Sequence, residues 1–335
     1  MATNSKIEWT NQTWNPVVGC TRASSGCDHC YAVTMTKRLA AIGQTDYQGL
    51  VGNGNGHFNG TVRTLERRLP EPLRWRKPRR VFVNSMSDLF HKDVPFDFVD
   101  QVFAVMALCP QHTFQILTKR PERMAEYMND SRHDRVNAKA CDLHKHTRIN
   151  IIPERLIGYP RSPVKVWPLP NCWTGTSIEN QATADERIPH LLRVPAAVRF
   201  LSVEPLLGPV EFSDVTRRSD AVHQWGKKAL SGIDWVIVGG ESGLGARPCD
   251  IAWIRSIVSQ SKAAGAACFV KQLGAKPYED ADNGPAVRSW GDAKIQRNGA
   301  CIQIHLADRK GGDMNEWPED LRVREYPLGQ VAEEV

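Results

Sequence analysis

Cysteines stand at positions 20, 27 and 30, in the run Cys20-Thr-Arg-Ala-Ser-Ser-Gly-Cys27-Asp-His-Cys30. Three thiolates are one short of the four that close the coordination of a cubane cluster or a structural zinc, so one metal position stays open for a substrate or cofactor. The chemistry this pattern predicts is a [4Fe-4S] cluster with one open iron, held by Cys20, Cys27 and Cys30. Zinc is the rival. Cys20, Cys27 and Cys30 with His29 or a distant residue make a closed tetrahedral site, and three thiolates with a water make a catalytic one. His29 lies between two ligands that already share a tight turn, and the His-x-Glu with Pro-Cys-x-x-Cys of deaminases is missing.

Such a loop needs a scaffold, and the composition allows a large one. The chain has 335 residues, 41% hydrophobic and 24% charged, which suits one α/β barrel with insertions and excludes global disorder. No apolar run approaches a membrane span, and the start Met-Ala-Thr-Asn-Ser-Lys lacks the apolar core of a signal peptide, so a cytoplasmic protein with no membrane partner is expected. Nine cysteines without a secretory signal then point to reduced thiols and metal or redox use. A net charge of +6 is compatible with a nucleic-acid or phosphate-bearing ligand and demands neither.

Short apolar runs at Val81–Ser85, Phe114–Leu117, Trp173–Thr176, Phe200–Val203, Trp235–Val238 and Phe269–Val270 alternate with helical patterns. One helix is bracketed by a cap at Asp250 and a stop at Gly265, with Ile251, Ile254, Ile257 and Val258 between them; Phe98, Val99, Val102, Phe103 and Met106 mark another. Counting Asn15–Gly19 as the first strand, the pattern predicts six or seven βα units: a complete or partial TIM-like (β/α) barrel over residues 1–275. Insertions are expected near 129–171 and 213–232, and residues 276–335 are expected to form a C-terminal cap or partner-binding extension.

Function in such barrels gathers at the C-terminal strand ends. There this chain carries Ser85, Ser87, Asp88 and His91, then Thr118, Lys119 and Arg120, then Ser177, Glu179 and Asn180, then Glu204, Glu241 and Lys271. Turn chemistry accounts for polar residues at strand ends in general, less readily for Glu and Lys placed directly on them. Cys109, Cys172 and Cys268 fall at strand starts and read as small buried hydrophobes, and Cys249 as packing beside Asp250. Cys141, His144 and His146 fit no common zinc spacing and read as solvated loop. The Arg63–Arg80 stretch, with Trp75 interleaved, precedes the second strand and so belongs to the opposite end of the barrel. Val238-Gly-Gly-Glu-Ser-Gly lacks the order of a dinucleotide loop.

The blocks Ile7-Glu-Trp9 to Cys20, Gly26-Cys27-Asp-His-Cys30-Tyr31, Ser85-Met-Ser-Asp88, Leu117-Thr-Lys-Arg-Pro-Glu-Arg123, Ser202-Val-Glu-Pro-Leu-Leu-Gly208, Val238 to Gly243 with Ala246-Arg-Pro248, Val270-Lys-Gln-Leu-Gly274 and Met314-Asn-Glu-Trp317 carry a resemblance. Together they resemble the phage-associated Gp37/Gp68 family (DUF5131), a three-cysteine domain of unknown function that is similar to radical S-adenosylmethionine enzymes. The resemblance implies a [4Fe-4S] cluster and S-adenosylmethionine, a deoxyadenosyl radical that modifies or repairs a substrate, and a reductant protein such as flavodoxin or ferredoxin. This chain has six residues between its first two cysteines where that superfamily usually has three.

On the resemblance, Ser85 and Asp88 would meet the cofactor ammonium, Lys119 or Arg120 its carboxylate, and Ser177, Glu179 or Asn180 its ribose. Glu204, Glu241 and Lys271 would face the substrate, a nucleic-acid base, nucleotide or peptide, with nucleic acid favoured. Each of these residues has an equal claim to be a structural ion pair or polar contact. The alternative for the whole chain is a zinc-binding, nucleic-acid-binding phage protein without catalysis.

Overall fold

The computed structural model describes residues 5, 7–52, 56–130, 132–147, 164, 166–213, 230–280, 290, 294–298 and 301–327. Much of the two expected insertions falls outside these residues, as do the side chains of His144 and His146 and residues 328–335. The chain divides into two compact units.

The first unit comprises residues 1–24, 30–175 and 193–197. It contains β1 (Gln12–Trp14), β2 (Val17–Val18), β3 (Arg63–Thr64), β4 (Arg80–Val83), β5 (Thr113–Thr118) and the first residues of β6 (Cys172–Ile178), with α1 (Tyr31–Ala41), α2 (Phe96–Ala107), α3 (Pro121–Asn129) and α4 (His133–Thr147). β1, β4 and β5 pair in parallel, with Trp14 opposite Val83 and Val83 opposite Ile116. Val81, Phe82 and Val83 are all buried, the near-continuous apolar run of a strand covered on both faces. The stripe read from the sequence on α2 is buried at Phe98, Val99, Val102, Phe103 and Met106.

The first strand is displaced from the expected Asn15–Gly19 to Gln12–Trp14. Pro16 lacks the amide needed to extend a ladder. Beyond it Val17 and Val18 pair antiparallel with Thr64 and Arg63 in a separate two-stranded sheet. Asn84, at φ 60°, accepts the Val17 amide on Oδ1 at 3.2 Å and steers the chain off the main sheet.

Part of the basic Arg63–Arg80 stretch ties this unit together, while Arg74, Arg76 and Lys77 are exposed. Asp46 binds both Arg67 and Arg68, the latter at 2.8 Å. Arg63 donates to the carbonyls of Asp46 and Gln48 at 2.8 and 2.7 Å, and Arg79 lies 5.5 Å over the Trp75 ring.

The second unit comprises residues 25–29, 176–192 and 198–335. It holds the remainder of β6, then β7 (Val198–Val203), β8 (Trp235–Gly239), β9 (Cys249–Asp250), β10 (Ala267–Gln272), β11 (Pro277–Asp280), β12 (Lys294–Asn298) and β13 (Cys301–His305), with α5 (Gln181–Leu192) and α6 (Ile251–Ala264). β7, β8 and β10 are parallel, Val203 opposite Val238 and Val238 opposite Val270. α6 begins and ends at the residues its caps predict: Asp250 accepts the Ala252 amide at 2.9 Å, and Gly265 closes the helix at φ 77°, where a Cβ would be strained. A second sheet runs β12-β13-β11-β9.

The principal sheet has the order β1-β4-β5-β6-β7-β8-β10, which is chain order once the small-sheet strands are set aside. With helices between most successive strands, this is an α/β fold of the partial TIM-like barrel type, and its seven strands meet the six or seven βα units expected. Cys109, Cys172, Cys249 and Cys268 are buried and free. Burial pushes the thiols of Cys109 and Cys268 up to about 12 and raises those of Cys172 and Cys249 as well. No helix among the described residues is long and apolar enough to cross a membrane.

Candidate metal centre

Cys20, Cys27 and Cys30 are thiols of intermediate exposure. In the first unit, the surroundings of Cys20 are built from the ends of β4 and β5. Asp88, in the turn after β4, is buried and accepts four bonds: from the Phe90 amide at 2.9 Å, the Thr118 hydroxyl at 2.7 Å, the Lys119 amide at 3.1 Å and Arg120 Nη1 at 2.8 Å. Arg120 thus leaves β5 with its guanidinium already oriented. Its Nη1 reaches Cys20 Sγ at 3.9 Å, and its Nη2 donates to the Thr21 carbonyl at 3.1 Å and the Thr21 hydroxyl at 2.8 Å.

Thr21 Oγ1 also lies 2.9 Å from Nε2 of His91, whose Nδ1 accepts the Asp93 amide at 3.2 Å. That amide leaves the imidazole proton on Nε2, donating to Thr21. Burial, reinforced by the Arg120 charge, pushes His91 below the usual imidazole range and keeps it neutral.

Cys30 is the N-cap residue of α1, with φ −61° and ψ 119°. Cys30 thus opens a helix, and Cys20 stands beside a guanidinium. Beside them, Tyr31 donates to the Ser85 carbonyl at 2.5 Å, and the Ser85 hydroxyl donates to Asn15 Oδ1 at 3.2 Å.

In the second unit, Ser25–Cys27 form a single 3-10 turn whose Ser25 carbonyl accepts the Asp28 amide at 3.1 Å. The turn rests on two charged supports. Glu179, fully buried, underlies Gly26 and pairs with buried Arg187 at 3.2 Å, and Arg187 also donates to the Ser177 carbonyl at 2.7 Å. Arg247 forks onto Glu241, Nε to Oε2 at 2.9 Å and Nη2 to Oε1 at 2.5 Å, and its backbone amide donates to Oε2 at 2.8 Å. The remaining Nη1 donates to the Ser25 carbonyl at 2.9 Å and stands 3.7 Å from Asp28. His29 Nδ1 lies 2.9 Å from Glu241 Oε2. Burial alone would raise the Glu241 carboxyl, but the bonds from Arg247 and His29 hold it down at about 2.

The other expected residues have local partners. Asn180 and Thr183 form a reciprocal cap on α5: Asn180 Oδ1 accepts the Thr183 amide at 3.1 Å, and Thr183 Oγ1 accepts the Asn180 amide at 3.1 Å. Glu204, just past β7, pairs with Lys271 of β10 at 2.7 and 2.9 Å and accepts from Gln272 at 3.1 Å. Ser177 is buried within β6. Asp88 and Arg120 are therefore gathered around Cys20, Glu179 and Glu241 around the Ser25–His29 turn, and Glu204 and Lys271 around each other.

The donor types suit an iron–sulfur cluster, since cysteine supplies soft sulfur ligands. Among the described residues, no three His, Cys, Asp or Glu side chains are grouped so as to hold a metal ion.

The family described as "Protein of unknown function (DUF5131)" matches residues 4–311. The chain belongs to the DUF5131 family. A search of curated proteins finds no match. Among solved structures, a cysteine-to-serine variant of spore photoproduct lyase is similar to this DUF5131 chain at 10% identity, covering 92% of this chain and 72% of that one, with a TM-score of 0.41. A double variant of the same lyase with bound AdoMet and dinucleoside spore photoproduct is similar at 11% identity, covering 88% and 68%, with a TM-score of 0.37.

Arg247, Thr21 and Gly26 take part in the contacts around the cysteine loop of this DUF5131 chain, and sequence reasoning left them without a role. Arg247 stands in the Ala246-Arg-Pro248 block, but 222 positions separate it from Ser25, and no local pattern reports such a bond.

Proposed function

We propose that this chain is a radical S-adenosylmethionine-type enzyme whose [4Fe-4S] cluster is held by Cys20, Cys27 and Cys30, acting on a nucleic-acid base or nucleotide. One contrast carries the reading. The three motif thiols are part-exposed, with a guanidinium at 3.9 Å from Cys20 and a helix N-terminus at Cys30, whereas Cys109, Cys172, Cys249 and Cys268 are buried, which raises their thiols. When bound, a reduced cluster with S-adenosylmethionine on its open iron supplies hydrogen-abstracting radical chemistry.

The chain's own residues supply the rest. Lys119 next to Arg120 offers a cation for the cofactor carboxylate, and Ser85 a hydroxyl beside the α1 N-terminus. The Glu204–Lys271 pair offers a carboxylate and an ammonium to the substrate. The net charge of +6 favours a phosphate-bearing substrate. Electrons would come from a flavodoxin- or ferredoxin-type protein.

One contact favours the second reading, a zinc-binding nucleic-acid-binding protein without catalysis. A carboxylate on one nitrogen of His29, at 2.9 Å, is the arrangement that orients zinc-ligating histidines.

Anaerobic purification followed by iron, sulfide and zinc analysis separates the two. The radical reading expects about four irons per chain, lost in C20A, C27A and C30A and retained in C109A, and deoxyadenosine on adding S-adenosylmethionine and a reductant. One tightly held zinc and no iron overturns it in favour of the second.

A further inference from the structure

Two arginines hold the cysteine loop by its backbone. Arg120 donates to the Thr21 carbonyl and Arg247 to the Ser25 carbonyl, at 3.1 and 2.9 Å. Each is held in turn by a carboxylate only 5% or 6% exposed, Asp88 or Glu241. We infer that Arg120 and Arg247 are positioning residues that pre-shape the cysteine loop, and that Asp88 and Glu241 serve them rather than cofactor or substrate.

Three physical points support this. The loop between Cys20 and Cys27 has little regular structure, so ordering it costs conformational entropy that specific contacts must offset. Guanidinium is the group for the task, because its planar fork binds a carboxylate on one edge and still offers a donor in a second fixed direction; an ammonium does not. Both carboxylates are also saturated. Asp88 accepts four bonds, and Glu241 accepts three from Arg247 with His29 on the same oxygen as two of them. Recruiting either carboxylate to a ligand would break a charge-assisted bond inside the protein.

The two clamps act on different parts of the loop, and this makes them separable. The test uses the full-length, metal-free chain, with hydrogen exchange and thiol alkylation mapped by peptide mass spectrometry. R247M is expected to raise exchange at residues 25–29 and alkylation of Cys27 by about tenfold; R120M is expected to raise exchange at residues 20–22 by a similar factor and to leave residues 25–29 and Cys27 unchanged. R247K and R120K should restore only a minor part, since each keeps the charge and loses the fork. D88N and E241Q, which leave the arginines in place, should loosen the same segments as R120M and R247M.

Unchanged labelling in the arginine variants overturns the inference, as does an equal rise at Cys20, Cys27 and buried Cys109, which reports global unfolding. So does full rescue by lysine. Iron loading adds a readout that rests on the radical reading: both methionine variants should take up less iron than wild type. If wild type takes up none, that reading falls while the labelling pattern still decides the clamps.

Discussion

Gly26 stands directly against the carboxylate of Glu179: a Cβ built on Gly26 would lie 2.4 Å from Oε1 and 2.5 Å from Cγ of that side chain. Glu179 has no easy retreat, being fully buried and paired with Arg187, itself only 2% exposed. G26A should therefore destabilise the fold by about 1–3 kcal/mol. G208A, whose added Cβ would meet Asn180 at an ordinary 3.7 Å, should stay within about 0.5 kcal/mol of wild type. Urea melts of both variants check this, and equal midpoints would refute the steric reading.

The Glu241 carboxyl gives a pH signature. Its folded value of about 2 lies below the ordinary 4.5, so its contribution to stability is complete above about pH 4.5 and is lost as pH falls toward about 2. E241Q removes the titrating group. The stability gap between wild type and E241Q should be constant near neutrality and should close between about pH 4.5 and 2, as read from denaturant midpoints. A gap that persists at the acid end would show that the carboxylate is not what Arg247 needs.

His91 titrates in a higher window. Its folded value is depressed from 6.5, so the unfolded chain takes up a proton that the folded chain refuses, and stability falls as pH drops below about 6.5. H91Q should show a shallower loss of stability between about pH 6.5 and 5 than wild type. Identical slopes would mean that His91 accepts its second proton in the folded state.

Asp250 accounts for the start of α6 through one bond, 2.9 Å to the Ala252 amide. D250A should cost about 1 kcal/mol, and D250N, which keeps an acceptor, distinctly less. Faster amide exchange at residues 252–254 in D250A alone would be the local sign.

Much of the fold is legible along the chain because its determinants are local. The caps of α6 are adjacent to the apolar stripe they bracket, and strands such as β4 and β8 are apolar runs of the kind a doubly covered sheet accommodates. Asn15–Gly19 misleads for an equally physical reason. Val17 and Val18 are buried and β-branched, but Pro16 and the left-handed Asn84 divert them to a different partner strand.

The cysteines at 20, 27 and 30, and the thiol chemistry they make available, are written in the sequence, because ligand identity and short spacing are covalent facts. Which charges serve those thiols is not. Asp88, Glu179 and Glu241 look alike as strand-end acids, and only folding assigns Asp88 to Arg120, Glu179 to Arg187 and Glu241 to Arg247, across 32, 8 and 6 positions. The bond from Arg247 to Ser25 spans 222. A carboxylate's partner is set by which guanidinium the packed backbone brings within about 3 Å, and that distance exists only once the strands have paired.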